Sequence, residues 1–357
     1  MLQPHKRSNV IPTQVQDRSA SYQAELEKSE PHSLKDISSP VHRELKEFNK
    51  RFSATLLSDV PIVNLVAKYI VRTKGKQLRP LLVLLSAQAC GEINDATYRA
   101  ALLVEILHTA TLVHDDVIDD ADLRRGFASI KSLWKNKVGV LMGDYLLAKG
   151  LLLTVESGEF HFLEITSHAV RRMSEGELYQ IQKARQLNID EAGYFRIVSD
   201  KTASLISTCC EMGAVSAFGG IESTERAALK AFGESVGIAF QIRDDLFDYE
   251  NAMTKIGKPI AIDLKEKKLT LPLIYSLSHS DERTSRRIRQ LVRSGRAAKE
   301  AYAEVIDFVI QHGGIDYARM KAEEYAEMAL RSLDVIPVSD AKRSLQAFVR
   351  YVMDREN

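Results

Sequence analysis

Nine prolines are spread unevenly along the 357 residues: four lie in the first 40, and between residues 41 and 258 only Pro61 and Pro80 occur. Proline lacks the backbone donor of a helix and clashes with the preceding turn, so a span nearly without it is open to long helices. The span is rich in Leu, Ala, Glu, Lys and Arg, and no run of alternating β-branched residues asks for a sheet. An all-α protein is expected. The length suits one large domain or two, with a sizeable core. Residues 1–42 are polar, with Ser, Gln, His and Pro, and read as a flexible extension ahead of a folded region at 43–357.

The net charge of +1 gives no electrostatic argument for nucleic acid or a membrane surface as partner. Cys90, Cys209 and Cys210 form neither a CxxC nor a disulfide framework and read as small buried helix residues in a reducing compartment. The amino terminus has no apolar core of a secretory signal, while its acid-free first 16 residues, with Lys6 and Arg7, leave an organelle transit peptide open. The most apolar stretch, Val138–Val155, is broken by Asp144 and Lys149 and is expected to be a buried core helix, with no transmembrane segment. A cytoplasmic protein is expected.

The chemistry concentrates in residues 101–126, ALLVEILHTATLVHDDVIDDADLRRG. An apolar helical run from Leu102 to Val113 carries into Asp115, Asp116 and Asp119, whose spacing predicts three carboxylates on roughly one helix face. Carboxylates so close repel each other unless cations lie between them, and hard oxygen ligands suit Mg²⁺. Arg124 and Arg125 follow about one turn later, and guanidinium groups suit phosphate. Residues 240–249, FQIRDDLFDY, repeat the spacing with Asp244, Asp245 and Asp248. A single DDxxD is as well explained by a solvated acidic face. Two copies in apolar surroundings point to two helices clamping a diphosphate through bridging metal ions. Neither copy has the glycine and terminal Glu of a calcium loop.

The chain in order gives a helix over about Glu44–Leu57, then Ser58 or Asp59 capping another with Pro61 just inside, over Ile62–Arg72 and ending near Gly75. GKQLRP follows, placing Lys76 and Arg79 at a helix amino terminus, where the dipole favours anions. A bound phosphate would resolve the conflict; an ordinary solvated loop is the plain alternative. Leu81–Ala89 and Asn94–Val113 read as buried helices. His108 lies two turns before Asp115 near the same face, and is either a ligand contact or a core histidine; His114 reads as structural. Ser129–Asn136 is expected as a connection, with Gly143 and Asp144 marking close packing in the helix beyond it. Glu177 and Gln180 face either a polar cavity or solvent. Lys201 and Thr202 are placed at the start of a small-residue helix and offer a second phosphate grip, or plain surface. A second acidic helix is expected after Gly233 and Gly237. Residues 257–272, with Lys258, Asp263, Lys267 and Lys268, read as a lysine-rich lid loop, and charged amphipathic helices from Asp281 end in one capped by Ser339 and Asp340. No solenoid-type repeat is present.

GKQLRP, LHTATLVHDDVIDDADLRRG, LMGDYLL, KTASLI, FQIRDDLFDY and GKP…DLKEKKLTLPLI, in this order, resemble the trans-type polyprenyl diphosphate synthases, and within them the long-chain group of octaprenyl and solanesyl diphosphate synthases. The resemblance covers residues 43–357. It implies a single large helical bundle around a central cavity, the isoprenoid synthase fold, and a homodimer. The implied reaction joins isopentenyl diphosphate to an allylic diphosphate of farnesyl or geranyl type by Mg²⁺-assisted ionisation, condensation and proton loss. More than one Mg²⁺ ion per site is implied. By the same resemblance Asp115, Asp119, Asp244 and Asp248 are metal ligands, and Asp116 and Asp245 complete the acidic motifs. Arg124, Lys201, Thr202, Gln241, Lys258 and Lys268 grip the allylic diphosphate, and Lys76, Arg79, His108 and Arg125 the isopentenyl diphosphate. Ala261 and Lys267 stand where the family often has Gly, which puts the lid's geometry in question.

Product length is expected to depend on the helix below Asp115. Ala110 and Thr111 are small where short-chain members carry bulky aromatics, and Leu107, Val104 and Leu103 lie further down. A long-chain product is expected, with quinone side chains as its use; geranylgeranyl is the alternative. A class I terpene cyclase would lack the second DDxxD and GKQLRP, and a non-catalytic subunit of a heteromeric synthase would have lost acidic motifs.

Overall fold

The computed structural model describes residues 33–124, 126–186, 188–218, 223–254, 269–294 and 299–354. Short α1 (Leu34–Ile37) and a 3₁₀ turn (Ser39–Val41) lead into α2 (His42–Thr55), α3 (Pro61–Arg72), α4 (Leu78–Cys90) and α5 (Asp95–Ile118). A two-residue hairpin, β1 (Leu123–Arg124) and β2 (Phe127–Ala128), joins α5 to α6 (Ile130–Ser157). Then come α7 (Phe160–Gln186), α8 (Glu191–Val198), a π-helical turn (Ser199–Ala203), α9 (Ser204–Phe218) and α10 (Thr224–Thr254). The chain closes with α11 (Leu271–Ser278), α12 (Glu282–Ser294), α13 (Lys299–Gln311), α14 (Gly314–Ser332) and α15 (Asp340–Met353). The all-α expectation holds.

Helix α9 is the middle of the bundle: its sequence is mostly small and apolar, and its one charge, Glu211, is buried against Arg226 and Lys230. Cys209 and Cys210 are fully buried in it, and all three cysteines are free thiols. A Cβ on Gly213 would lie 2.4 Å from the Val83 carbonyl oxygen of α4, and one on Gly233 of α10 would lie 2.6 Å from Ser207 Cα. Backbones approach this closely only through glycine. One apolar core surrounds α4, α5 and α9; a second, smaller one lies between α8, the end of α10 and α11–α14.

Several boundaries differ from the sequence reading. Ser33–Val41, expected within a flexible extension, is folded: Ser33 makes a capping box with Asp36, and Ile37 and Val41 are buried in the larger core. Residues 1–32 lie outside the described residues. Helix α3 begins at Pro61 with Val60 as its cap, while Ser58 bonds Asn64 through its backbone. That helix ends at Arg72 as expected, with Thr73 as its cap, and α4 starts one turn earlier than expected, from a left-handed Gln77. Gly233 and Gly237 lie inside α10 rather than before it. The connection expected at Ser129–Asn136 is already helix from Ile130, kinked at Lys135 (φ 73°). Ser339 caps α15 as expected.

Helix α6 is a core helix on one face only. Gly139, Gly143 and Gly150 press against α5, where a Cβ on Gly143 would overlap the His114 ring. Leu133, Val140, Leu141, Leu151, Leu152 and Val155 are exposed on the other side. By length and composition alone this helix could cross a membrane. The expectation of a buried core helix holds for one face only, because apolar periodicity marks a face to be covered without saying by which chain.

Replacing Gly213 by Ala forces a methyl group onto the Val83 carbonyl, and overpacking of this kind costs about 1–3 kcal/mol. Urea unfolding of Gly213→Ala is expected to show that loss as a lower midpoint with an unchanged slope.

Candidate active site

Helix α5 is anchored at its far end. The Asn94 side chain caps it through Thr97 and donates to the Ser216 carbonyl of α9 at 2.9 Å. The acids therefore fall at its carboxyl end, with Asp115 and Asp116 in the last turn and Asp119 as the C-cap. That end of a helix carries partial negative charge, so each carboxylate there needs a cation or donor. Asp116 is buried, 4% exposed, and accepts from Arg124 Nε at 2.6 Å. Lys131 ties Asp120 at 2.5 Å, and Asp120 (φ 52°) turns the chain into the hairpin. Asp115 is half-buried, and its carboxyl is raised above the usual range, first by burial and then by the charges of Glu177 and Asp119. Lys201 and Arg124 offset part of that rise. An acid held in an anionic field is a site short of positive charge.

The second motif lies on α10. Asp245, 5% exposed, accepts from the Tyr194 hydroxyl at 2.7 Å and from Gln241 Nε2 at 2.9 Å. Thr202 donates to Gln241 Oε1 at 2.9 Å. Lys201 is 2.5 Å from Glu177 and donates to Gln180 at 3.0 Å, so both α7 side chains face the site rather than bulk solvent. Tyr194, Gln180, Lys201, Thr202, Gln241 and Asp245 line one open cleft of about 120 Å³.

Lys201 and Thr202 are not at a helix start. They sit in the π-helical turn within one continuous run from α8 to α9. Such turns recur at functional sites because one extra residue per turn re-aims the side chains. The expectation that three acids share a face is likewise corrected. In each motif the second acid is about 100° round the helix from the first. Asp116 and Asp245 are accordingly buried against Arg124 and Tyr194, while Asp115, Asp244 and Asp248 are half-buried and Asp119 is exposed. Among the described residues no three His, Cys, Asp or Glu side chains converge tightly enough to hold a metal by themselves. The carboxylate donors, split between two helices, fit a hard divalent ion that shares its coordination with water and phosphate oxygens.

Of the other expected residues, Lys76 is exposed and donates to Tyr351 Oη of α15 at 3.1 Å. Arg79 is in the first turn of α4, half-buried, and its charge reaches Cys209 together with that of Glu105. The connection carrying Lys76 is fixed from α2, where Asn49 accepts from Lys74 at 2.5 Å and from Gln77 at 2.9 Å. His108 is buried on α5. Arg125, Lys258 and Lys268 lie outside the described residues. Leu103, Val104, Leu107 and Ala110 are buried core, Leu103 and Leu107 facing Gly150 of α6, and Thr111 donates to the His108 carbonyl at 2.8 Å. Asn49, Tyr194 and Tyr351 were missed: each is distant in sequence from the motif it supports, and no spacing announces it.

The polyprenyl synthetase family pattern matches residues 60–309. The chain is 33% identical to the octaprenyl diphosphate synthase of Haemophilus influenzae, over 92% of this chain and 99% of that protein. A solved decaprenyl diphosphate synthase from Rhodobacter capsulatus superposes with a TM-score of 0.85 at 31% identity, covering 91% of this chain and 100% of that one. A polyprenyl synthase from Caulobacter crescentus CB15, solved with calcium and isoprenyl diphosphate, gives 0.81 at 32% identity, over 92% and 99%.

Removing the Tyr194 hydroxyl leaves the buried Asp245 one donor short, a loss that typically costs about 1–3 kcal/mol. Tyr194→Phe is expected to unfold at correspondingly lower denaturant; an unchanged midpoint would mean that the bond contributes nothing net.

Proposed function

The chain belongs to the polyprenyl synthetase family, and from that premise we propose that it is a long-chain all-trans-polyprenyl diphosphate synthase. It adds isopentenyl diphosphate successively to an allylic diphosphate. The observation that carries this reading is the junction of α7, the π-helical turn and α10. There Lys201, held by Glu177 and Gln180, and the chain Thr202–Gln241–Asp245–Tyr194 border one cleft.

In the proposed reaction the bond from the allylic carbon to the diphosphate oxygen breaks. The double bond of isopentenyl diphosphate attacks the allylic cation, and a proton leaves for the released diphosphate. Lys201 gives up its acidic and amide partners to the incoming diphosphate, and Thr202 and Gln241 supply donors beside it. Arg124, Lys258 and Lys268 complete this grip, while Lys76, Arg79, His108 and Arg125 hold isopentenyl diphosphate. Asp115, Asp119, Asp244 and Asp248 would hold Mg²⁺, more than one ion, which when bound supplies charge neutralisation at the departing diphosphate. The carboxyl of Asp115, raised by burial and by the charges of Glu177 and Asp119, supports a cation there, because positive charge favours its ionised form. No side-chain nucleophile is needed, since preorganised charge does the work.

The growing chain is proposed to run down α5 past Ala110. Ala110, Leu107, Val104 and Leu103 are core residues in the absence of product, so elongation requires their neighbours to yield. The exposed apolar face of α6 supports a homodimer, since a second copy would cover Leu141, Leu152 and Val155. A cytoplasmic setting and use of the product in quinone side chains belong to the same proposal.

The test is incubation with Mg²⁺, isopentenyl diphosphate and farnesyl diphosphate, followed by product analysis. Seven or more isoprene units are expected, and Ala110→Phe, which places a ring on the path at an overpacking cost of about 1–3 kcal/mol, is expected to stop short. A wild-type product ending at geranylgeranyl would refute the long-chain reading, and diphosphate release without isopentenyl incorporation would favour a cyclase. Leu152→Asp is expected to turn a dimer into a monomer in sedimentation; a wild-type protein that sediments as one chain would refute the dimer.

A further inference from the structure

The π-helical turn that presents Lys201 and Thr202 is gripped by a side chain outside the cleft. Arg172 of α7 donates from Nε to Asp200 Oδ1 at 2.9 Å and from Nη2 to Ser199 Oγ at 2.7 Å. The same guanidinium reaches Glu234 of α10 at 2.9 and 3.4 Å, and Ser199 itself donates to Glu234. Ser199 and Asp200 are the first two residues of the turn. One arginine thus ties the opening of the turn to the helices on both sides.

Packing closes the same segment in. A Cβ on Gly176, one turn along α7 from Arg172, would stand 2.9 Å from Asp200 Cβ and 3.2 Å from the Lys201 nitrogen. On the opposite side a Cβ on Gly237 would stand 2.6 Å from Ala203 Cα. The glycines let α7 and α10 press on the turn, but contact alone does not select a π over an α pattern. A π-turn contains an extra residue, and losing it would rotate the side chains on one side of the turn by about 100° relative to the other. Donors fixed to Ser199 and Asp200, two residues and one residue before Lys201, set that phase.

We infer that Arg172 is a positioning residue: through Asp200, Ser199 and Glu234 it holds the π-helical turn in the register that aims Lys201 and Thr202 into the cleft. It touches no substrate. The consequence for catalysis rests on the proposed function, because it assumes that Lys201 and Thr202 grip the allylic diphosphate; the register itself does not.

Two readouts separate these levels. Amide hydrogen exchange at residues 199–204 is expected to accelerate in Arg172→Gln while α4 and α5 keep their protection. In steady state the KM for the allylic diphosphate is expected to rise about tenfold with that for isopentenyl diphosphate within about twofold, and Arg172→Lys, which keeps the charge, should fall between. Because Arg172 acts through Lys201 as well as Thr202, adding Arg172→Gln to Lys201→Ala should raise the KM clearly less than Arg172→Gln does alone. Should Arg172→Gln fail to fold, Asp200→Asn breaks the same link and takes its place in both experiments. Unchanged exchange at 199–204 would overturn the inference, as would equal rises in both KM values or full additivity with Lys201→Ala. A wild-type chain that does not elongate would sink the proposed function alone, and the exchange measurement would still decide the role of Arg172.

Discussion

Carboxylates crowded at the carboxyl end of a buried helix are the constraint on which the structure turns. Asp115, Asp116, Asp119 and Asp120 add their charge where α5 already presents its unsatisfied carbonyls. The surroundings answer each in turn. Arg124 is folded back by the hairpin onto Asp116, Lys131 reaches Asp120, and Lys201 arrives from another helix near Asp115. At Asp115 the charges of Lys201 and Arg124 offset only part of the rise that burial, Glu177 and Asp119 impose, and that is where a cation from outside is favoured. On the second acidic helix Asp245 is buried and accepts from Tyr194 and Gln241, while Asp244 and Asp248 stand half-buried.

Close helix packing makes that arrangement possible. Gly213, Gly233 and Gly237 bring α4 and α10 against the central α9 and the turn before it, at distances that any side chain would forbid. The glycines of α6 do the same for α5 on its other flank. The cleft is consequently walled by helices whose spacing is set by backbone contact, which is a stiffer way to hold Lys201, Thr202 and Gln241 than a loop would be.

The all-α class and both acidic motifs were legible in the sequence because each follows from composition or from short local spacing, whereas the residues proposed to grip diphosphate rest on the resemblance to a family. DDxxD fixes which acids are one turn apart, but a spacing of i, i+1, i+4 overstates the cluster: Asp116 and Asp245 turn into the protein. Local spacing also cannot show a π-turn. SDKTASLI reads as a helix start because Ser and Asp are good caps, whereas here Asp200 is held by Arg172 from 28 positions earlier. Tyr194, Asn49 and Tyr351 were invisible for the same reason, their partners being far away in the chain. Ser33–Val41 reads as part of a polar tail because its buried apolar residues, Ile37 and Val41, find their cover only in the folded chain, where α15 packs on this segment. The outward face of α6 shows the opposite limit: the sequence displays its apolar pattern, yet Leu141, Leu152 and Val155 stay exposed within one chain.

The central claim is that the two acidic helices act as one site. The direct measurement is a double-mutant cycle on turnover with Asp115→Asn and Asp244→Asn, in saturating Mg²⁺ and both diphosphates. Residues that act as a unit are strongly non-additive, so either substitution alone is expected to remove most of the rate, with little further loss on combining them. If the two losses simply multiply, the helices contribute separately, and the account of a diphosphate clamped between them is wrong.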